Sequence, residues 1–489
     1  MAQYKHYNYD QEIMVPVFLK DQLLPGTLEY TIHTLIENQV DMSVFEAKYN
    51  NDETGCYAYD PKILLKSVLF GLARGKLSSR KVESACKENI IFMALTCGQA
   101  PDHSTIAAFV SSMEKEIVLI FVDILSYCDK NGLLGGTTFS IDGCKLPGNA
   151  SKEMSGTFEQ LEEKKNRLEK RLAELLREHQ DNDTKDAAEK LEKRIQKLDR
   201  FLKDNEPKTG RKHKENKSNV TDNDSQMMTT SHGVIQGYNA QAIVDSKNQI
   251  IVFADAGNSG QDDEHGSLMI DGAKANLKAI GKDADCLKNA EILGDSNYFS
   301  SNTFQKLIDE QINGYIPDKD FRKRDPRFID GDPKFSIADF EYDVDQDVYI
   351  CPAGETLTRS QDTSKNSKKV YRHYAATEKL CSACPFRNRC LAKKTSKRRW
   401  LSVHYDEELA TFTHNLIAKI DSDEGRQKYN QRFGMVEPVF ANIRTQKRMD
   451  HFTLRGKKKV NIQWLLYCLV HNIEKCIPVA HKPVLSLAF

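Results

Sequence analysis

Two apolar, β-rich runs that lie far apart in the chain each lead into an aspartate. The runs are "TTFSID" (137–142), which leads into Asp142, and "AEILGDSNY" (290–298), which contains Asp295. The alternation of apolar and polar residues predicts a strand ending at Asp142, and a second strand is predicted to run into Asp295. A single aspartate at a strand end is more often a turn former. Two of them indicate acids that converge in space rather than in sequence.

The remaining pattern predicts how a sheet is assembled between and after these runs. "GYNAQAIVDSKNQIIVFADA" (237–256) predicts a β-hairpin, and "NGYIPD" (313–318) predicts a short strand. Residues 157–204 carry Leu and Ile at helical spacing among Glu, Lys and Arg, which predicts an inserted antiparallel coiled-coil hairpin. The order of these elements predicts a mixed α/β fold with helices on both faces of a mixed sheet.

The N-terminal region, residues 1–130, is predicted to be all-helical. Asp60 is a candidate N-cap with Pro61 at the first helical position of "PKILLKSVLFGLARG", which closes at Gly75, and Asp102 is a second candidate cap. Short helices with interspersed Lys and Arg suit a DNA-binding module, and a plain helical bundle is an equally good interpretation. The other predicted boundaries are 131–319 for the first part of the core, 320–404 for a Cys-rich basic insertion and 405–489 for a helical C-terminal part.

Composition excludes some classes of protein. The 489 residues include 70 basic and 70 acidic side chains, so the formal net charge is zero and local asymmetry matters more than the total. The polar start and the lack of an apolar run of roughly 18–20 residues predict no signal peptide and no membrane helix. Twelve mostly scattered cysteines then predict a cytoplasmic protein with reduced thiols.

A third acid lies in "YNQRFGMVEPVFANIR" (429–444), where Glu437 is surrounded by basic and aromatic residues. The plainer interpretation is a solvated helix face with an ion pair, and the alternative is a metal ligand that works on a phosphodiester. Glu437 and Arg444 are seven residues apart and would share one face of a helix. Pro438 either begins this helix, leaving Glu437 as its cap, or removes one hydrogen bond within it.

Three stretches together resemble the catalytic blocks of DDE transposases from bacterial insertion sequences: "FSIDGCKL", "ILGDSNYFS" and residues 429–444. Within these enzymes the chain resembles the group with a Tyr-Arg-Glu-Lys signature. The corresponding residues are Tyr429, Arg432, Glu437 and Arg444. Four residues instead of three separate Arg432 from Glu437, and Arg replaces the final Lys. "YDPKILLKSVLFGLARGKLSSRKVE" also resembles the family's N-terminal domain, so the similarity covers most of residues 55–475.

The resemblance implies an RNase H-like core that hydrolyses DNA at transposon ends and then joins the strands. It implies that Asp142, Asp295 and Glu437 bind two Mg²⁺ (or Mn²⁺) ions, which suits hard oxygen ligands. It also implies double-stranded DNA as partner, both terminal inverted repeats and target, and a homodimer or larger assembly on DNA. The rivals are a transposase-derived regulator that binds DNA without catalysis and a metal nuclease without strand transfer.

A cluster of cysteines lies in the insertion, at Cys351, Cys381, Cys384 and Cys390. Cys381 and Cys384 form a C-x₂-C pair, a common zinc-binding spacing, so we expect a structural zinc ion in a zinc-ribbon-like insertion. Free buried thiols, and a redox or iron–sulfur role, are the alternatives.

Two basic runs, "KKTSKRR" (393–399) and residues 444–459, are candidate phosphate contacts, because neutralisation of phosphates gives affinity without sequence preference. The alternative for both runs is a solvated face. Together with Tyr429 and Arg432 of the signature, the predicted DNA-binding residues are Tyr429, Arg432, Arg444, Lys447, Arg448, Arg455, Lys457, Lys458, Lys459, Lys397, Arg398 and Arg399.

Overall fold

The computed structural model describes residues 17–49, 57–178, 182–209, 214–231, 233–257, 265–365, 368–391, 393 and 395–480. The α-helices are α1 (Leu28–Asn38), α2 (Pro61–Ala73), α3 (Ser79–Glu88), α4 (Ile90–Leu95), α5 (His103–Ser112), α6 (Glu116–Lys130), α7 (Phe158–Glu178), α8 (Asn182–Asp204), α9 (Gly266–Ala279), α10 (Ser301–Asp309), α11 (Glu378–Ser382), α12 (Arg387–Cys390), α13 (Glu407–Asp421), α14 (Asp423–Ala441) and α15 (Lys457–Ala480).

The strands are β1 (Thr138–Pro147), β2 (Ser155–Gly156), β3 (Lys208–Thr209), β4 (Glu215–Asn216), β5 (Ser218–Asn219), β6 (Gln226–Thr230), β7 (Gly233–Asp245), β8 (Ile251–Gly257), β9 (Glu291–Leu293), β10 (Asn313–Tyr315), β11 (Glu341–Asp343), β12 (Val348–Ile350), β13 (Thr356–Lys365), β14 (Lys368–Ala375) and β15 (Trp400–His404). The larger sheet has the order β10-β9-β1-β7-β6, with β8 also on β7. β1 pairs antiparallel with β7 and parallel with β9, and β9 pairs parallel with β10. A mixed sheet, as predicted, is therefore observed.

The register of the sheet brings the two predicted aspartates to one level. Ser140 of β1 pairs with Leu293 of β9 in a parallel ladder. Asp142 and Asp295 each lie two residues further on. The predicted strand end at Asp142 is wrong, because β1 continues to Pro147 through its antiparallel pairing with β7. Asp142 thus lies inside a strand, while Asp295 follows the end of one.

The helix α15 covers the outer edge of the sheet along β8. The side chain of Asn472 accepts a hydrogen bond from the Ile251 amide and donates one to the Ile251 carbonyl, both at 2.8 Å. Asn461 accepts from the Ala256 amide at 2.9 Å. These side chains satisfy backbone groups that an edge strand would otherwise leave open.

The N-terminal region is helical in its described part, as predicted. Asp60 caps α2 by accepting from the Lys62 amide at 2.8 Å, and Asp102 caps α5 by accepting from the Ser104 amide at 2.9 Å. These helices pack against α15, and one continuous hydrophobic core includes them, the large sheet and the C-terminal helices. The N-terminal helices are therefore joined to the core rather than separated from it.

The predicted helical hairpin is observed as α7 and α8, which pack against each other. Its base has its own small core around Leu161 and Leu198, which are 1% and 0% exposed. Of the predicted turn at 179–186, residues 182–186 are helical, because α8 begins at Asn182, and residues 179–181 lie outside the described residues.

The Cys-rich insertion is built on a second sheet with the order β11-β12-β13-β14-β15, which the sequence analysis did not predict. Adjacent strands are antiparallel, and the sheet buries a cluster that includes Leu357, Tyr374 and Leu401. The insertion thus has a hydrophobic core of its own, contrary to the expectation of a ribbon held by metal.

The C-terminal part is mostly helical, with a π-helical turn at Asn442–Gln446 directly after α14 and a non-helical stretch before α15. Within the described ranges, no helix combines the length and the apolar character that a membrane span requires.

Candidate active site

The site forms where α14 packs against β1. Arg432 of α14 donates from Nη1 to Oδ2 of Asp142 at 2.7 Å, and the Gly143 amide donates to Oδ1 at 2.8 Å. Both side chains are largely buried, with 8% of Arg432 and 18% of Asp142 exposed. A buried carboxylate is therefore neutralised by a buried guanidinium, as low-dielectric surroundings require.

Glu437 is close enough to this pair to affect the pKa of Asp142. Burial raises the pKa of the Asp142 carboxyl, Arg432 and the Gly143 amide lower it, and the charge of Glu437 raises it. A second carboxylate close enough to raise the pKa of a buried aspartate is typical of sites that attract cations.

Asp295 faces the same group of residues from the neighbouring strand. Its oxygens accept from the backbone amide and the side-chain amide of Asn297, both at 2.9 Å, so it caps the short 3₁₀ turn after β9. Burial raises the pKa of Tyr429, Arg432 lowers it, and the charge of Asp295 raises it. Arg432 thus lies within electrostatic range of both Asp142 and Asp295, and Asp142 lies within range of Glu437.

The structure also distinguishes between the two predicted positions of Pro438, at the start of the helix or within it. It lies inside α14, which runs from Asp423 to Ala441, so Glu437 is an interior helical residue and not a cap. Glu437 is exposed, whereas the neighbouring Val436 and Val439 are buried. The helix therefore buries one face against the core and presents Glu437 outward.

A buried polar layer supports the two strands beneath the aspartates. The Tyr298 hydroxyl donates to Oε1 of Gln241, and the Trp464 indole donates to the Gln241 carbonyl at 2.8 Å. Gln241 lies opposite Gly143, where a Cβ would come within 2.1 Å of the Gln241 side-chain nitrogen. Sequence reasoning missed this layer; the glycine directly after Asp142 was its one visible signal.

The three carboxylates are chemically suited to a divalent ion, but their arrangement is not that of a formed metal site. Three carboxylates are the hard oxygen ligands that Mg²⁺ prefers. Among the described residues, however, no group of three or more His, Cys, Asp or Glu side chains is arranged to hold a metal ion. Oδ2 of Asp142 accepts from Arg432 and Oδ2 of Asp295 accepts from the Asn297 side chain, so one oxygen of each carboxylate already has a side-chain partner.

The four cysteines of the insertion lie near one another. Burial raises the pKa of Cys390 to about 11; Arg399 lowers it, and Cys381, Cys351 and Cys384 raise it. The thiols are therefore within electrostatic range of one another. In the described part of the chain, however, they do not form a group that could hold a metal ion.

The predicted DNA contacts divide into exposed and interior residues. Several are exposed and remain available to a polyanion: Lys397, Arg444, Arg448, Arg455, Lys457, Lys458 and Lys459. Arg398 is half-buried and stacks on Trp400, which is 42% exposed, at 4.7 Å.

The other four predicted DNA contacts are engaged by groups of the protein itself. Lys447 is buried and donates to Glu474 at 2.6 Å, so the prediction that it contacts DNA is wrong. Arg399 turns inward and donates to the Cys390 carbonyl at 2.8 Å. Tyr429 is 9% exposed and packs edge-on against Phe321, and Arg432 is paired with Asp142 as described above.

Two parts of the chain match known protein families. Residues 17–112 match the family described as Transposase domain (DUF772), and residues 350–477 match the Transposase DDE domain. The second match contains Glu437 and the four clustered cysteines, whereas Asp142 and Asp295 lie outside it. No curated protein matches the chain.

These two matches support a DDE transposase, a class of DNA-processing enzymes that typically use divalent metal ions. The mixed sheet and the helical N-terminal region fit an α/β transposase.

Proposed function

We propose that this protein is a DNA transposase that binds the terminal repeats of an insertion sequence, cleaves there and joins the freed end to other DNA. The observation that carries the proposal is that Asp142 and Asp295 each lie two residues beyond the Ser140–Leu293 pair of two adjacent parallel strands, while Glu437 of α14 is near enough to raise the pKa of Asp142. The strand order around β1 supports an RNase H-like core for the same reason.

Asp142, Asp295 and Glu437 would hold two Mg²⁺ or Mn²⁺ ions. Such ions activate an attacking oxygen and stabilise a leaving oxygen at phosphorus. In hydrolysis, a water oxygen bonds to phosphorus and gives up a proton, the bond from phosphorus to the 3′ oxygen breaks, and that oxygen takes up a proton to become a 3′-hydroxyl. In joining, this hydroxyl attacks a second phosphodiester and a new 3′-hydroxyl leaves.

Arg432 is suited to a role at the phosphate once Asp142 takes up metal. Its Nε is buried and has no hydrogen-bond partner among the described residues. A buried N–H without a partner is costly, and a phosphate oxygen would satisfy it with a charge-assisted bond. We assign Arg432 to the scissile phosphate, and the exposed basic residues of 444–459 to the flanking duplex.

We also propose that the insertion binds a structural zinc ion through Cys351, Cys381, Cys384 and Cys390. The proximity of the other three thiols to Cys390 supports this. In a tetrahedral site each sulfur would lie about 2.3 Å from zinc. The separate core of the second sheet implies that zinc would stabilise this end of the insertion rather than fold it outright.

One assay separates this function from its rivals. Protein is incubated with Mg²⁺, a labelled duplex that carries the element end and an unlabelled target plasmid. Transposition predicts labelled plasmid as well as a nicked duplex. Nicking without transfer supports the nuclease, and binding without nicking supports the non-catalytic regulator; either result contradicts the proposal.

A further inference from the structure

Proline 438 leaves a gap in the hydrogen bonding of α14 directly beside Glu437. In an α-helix the amide of residue 438 would donate to the carbonyl of residue 434. Proline has no amide hydrogen, so the carbonyl of Gly434 loses its helical partner. The turn that bears Glu437 is therefore the weakest turn of the helix, and helices bend at such positions.

Gln249 supplies the missing donor from another part of the fold. Its Nε2 lies 2.9 Å from the Gly434 carbonyl oxygen. Its Oε1 accepts from the ammonium of Lys475 at 2.8 Å. Because an ammonium group can only donate, this contact fixes the orientation of the amide and directs Nε2 toward Gly434.

The backbone of Gln249 is held in place as well. The residue lies in the turn between β7 and β8 with φ of 60°, a left-handed conformation that side chains other than glycine adopt rarely. Its carbonyl accepts from Nε2 of the buried His471 at 2.8 Å. Next to it, Asn248 donates to the Leu133 carbonyl at 2.7 Å. The hydrogen bond from His471 thus maintains a less common backbone conformation at Gln249, the residue that reaches α14.

We propose that Gln249 is a positioning residue for Glu437. By replacing the hydrogen bond that Pro438 removes, it holds the Gly434–Pro438 turn against the sheet and keeps Glu437 beside Asp142. The inference rests on the proposed function, in which Glu437 is a metal ligand. A displacement of about 1 Å at such a group is enough to slow a reaction strongly.

Gln249→Asn is the test variant. Asn keeps an amide and tolerates the left-handed conformation, but it is one methylene shorter and does not reach Gly434. We expect cleavage at limiting Mg²⁺ to fall about three- to tenfold, the range that a lost hydrogen bond of about 0.5–1.5 kcal/mol allows. The Mg²⁺ concentration at half-maximal rate should rise, and DNA affinity should stay unchanged.

The same substitution is then made in a Pro438→Ala protein, because Ala has a backbone amide that can donate to the Gly434 carbonyl. In this background Gln249→Asn should have no further effect on the Mg²⁺ dependence. Asn248→Ala is the matched control, since it removes a hydrogen bond on the Leu133 side of the same turn and leaves the contacts of Gln249 with His471 and α14 in place, and it should cleave like the wild type. Hydrogen exchange of the amides in residues 435–441 gives a readout without activity: exchange should accelerate in Gln249→Asn and not in Asn248→Ala.

The inference is overturned if Gln249→Asn matches the wild type in both readouts. It is also overturned if the variant loses as much in the Pro438→Ala background as in the natural one, or if Asn248→Ala shows the same defect. The proposed function fails separately, when Glu437→Gln still cleaves. Loss of cleavage in Glu437→Gln together with an unaffected Gln249→Asn would reject the positioning role alone.

Discussion

Arg432 and Asp142 form a buried ion pair, with 2.7 Å between Nη1 and Oδ2, that joins α14 to the central strand of the large sheet. The guanidinium compensates the carboxylate charge. In the proposed function, metal binding at Asp142 would release Arg432 toward the substrate, and the pair would link the metal site to the phosphate contact.

This exchange predicts how Arg432→Ala responds to metal. Removing Arg432 leaves Asp142 buried without its partner, which should destabilise the metal-free protein by roughly 3 kcal/mol. Mg²⁺ should restore part of this loss, because the ion then supplies the compensating charge. Thermal unfolding in EDTA and in Mg²⁺ measures both values. A loss of stability that is equal in the two conditions would show that Arg432 does not share Asp142 with a cation.

Lys447 and Lys459 belong to the same basic run, but substituting Lys447 should affect stability, whereas substituting Lys459 should affect DNA binding. Lys447 is buried against Glu474, so Lys447→Met should lower the free energy of unfolding by about 2–4 kcal/mol. Lys459 is exposed, so Lys459→Met should leave stability unchanged and reduce the salt dependence of DNA binding by about one phosphate contact. Denaturant titration and binding at several salt concentrations check the pair. Equal effects of the two variants on DNA binding would contradict the burial of Lys447.

His471 should make the protein sensitive to mild acid. Burial lowers its pKa from 6.5 to about 3, so the folded protein keeps it neutral while the unfolded chain protonates it near pH 6.5. Its contribution to stability is therefore complete above pH 6.5 and is lost progressively as the pH falls toward 3. Gln preserves a donor toward the Gln249 carbonyl but does not titrate.

Between pH 7 and pH 5 the wild type should thus lose more stability than His471→Gln. Thermal unfolding of both proteins across this range gives the comparison. Parallel pH profiles would mean that His471 is not held neutral in the folded state.

The zinc proposal predicts about one equivalent of zinc in protein purified without added metal. Cys384→Ser should lose it, and the exposed Cys97, which lies outside the cluster, provides the control Cys97→Ser. Elemental analysis of the three proteins decides the matter. Zinc well below one equivalent in the wild type would return the four residues to ordinary thiols.

The sequence predicted strands and caps well where one local rule decides the structure. Asp60 before Pro61 and the alternation around "TTFSID" needed no tertiary information. The end of β1 was missed because pairing with β7 continues past Asp142, and only a distant strand determines that. The strands β13 and β14 were not predicted, because the many charged and polar residues of "TLTRSQDTSK" and "KKVYRHYA" obscure the apolar alternation that indicates a strand.

The basic run after Glu437 could not be assigned from spacing. A π-helical turn over Asn442–Gln446 changes the helical phase, and Arg448 then takes a left-handed φ of 56°. Neither is visible in the sequence, so the inward direction of Lys447 was unpredictable. Likewise, one-dimensional spacing cannot indicate that Arg432 meets Asp142, since nothing in the sequence connects the two segments.

The most direct test of the central claim measures binding and cleavage of one oligonucleotide duplex by Asp142→Asn, Asp295→Asn and Glu437→Gln. Glu424→Gln, which changes an exposed acid in the first turn of the same helix, is the control. We predict that the three site variants bind the duplex like the wild type but cleave at background level in Mg²⁺, while the control does both. Retained cleavage in any site variant would contradict a metal-ligand role for that residue.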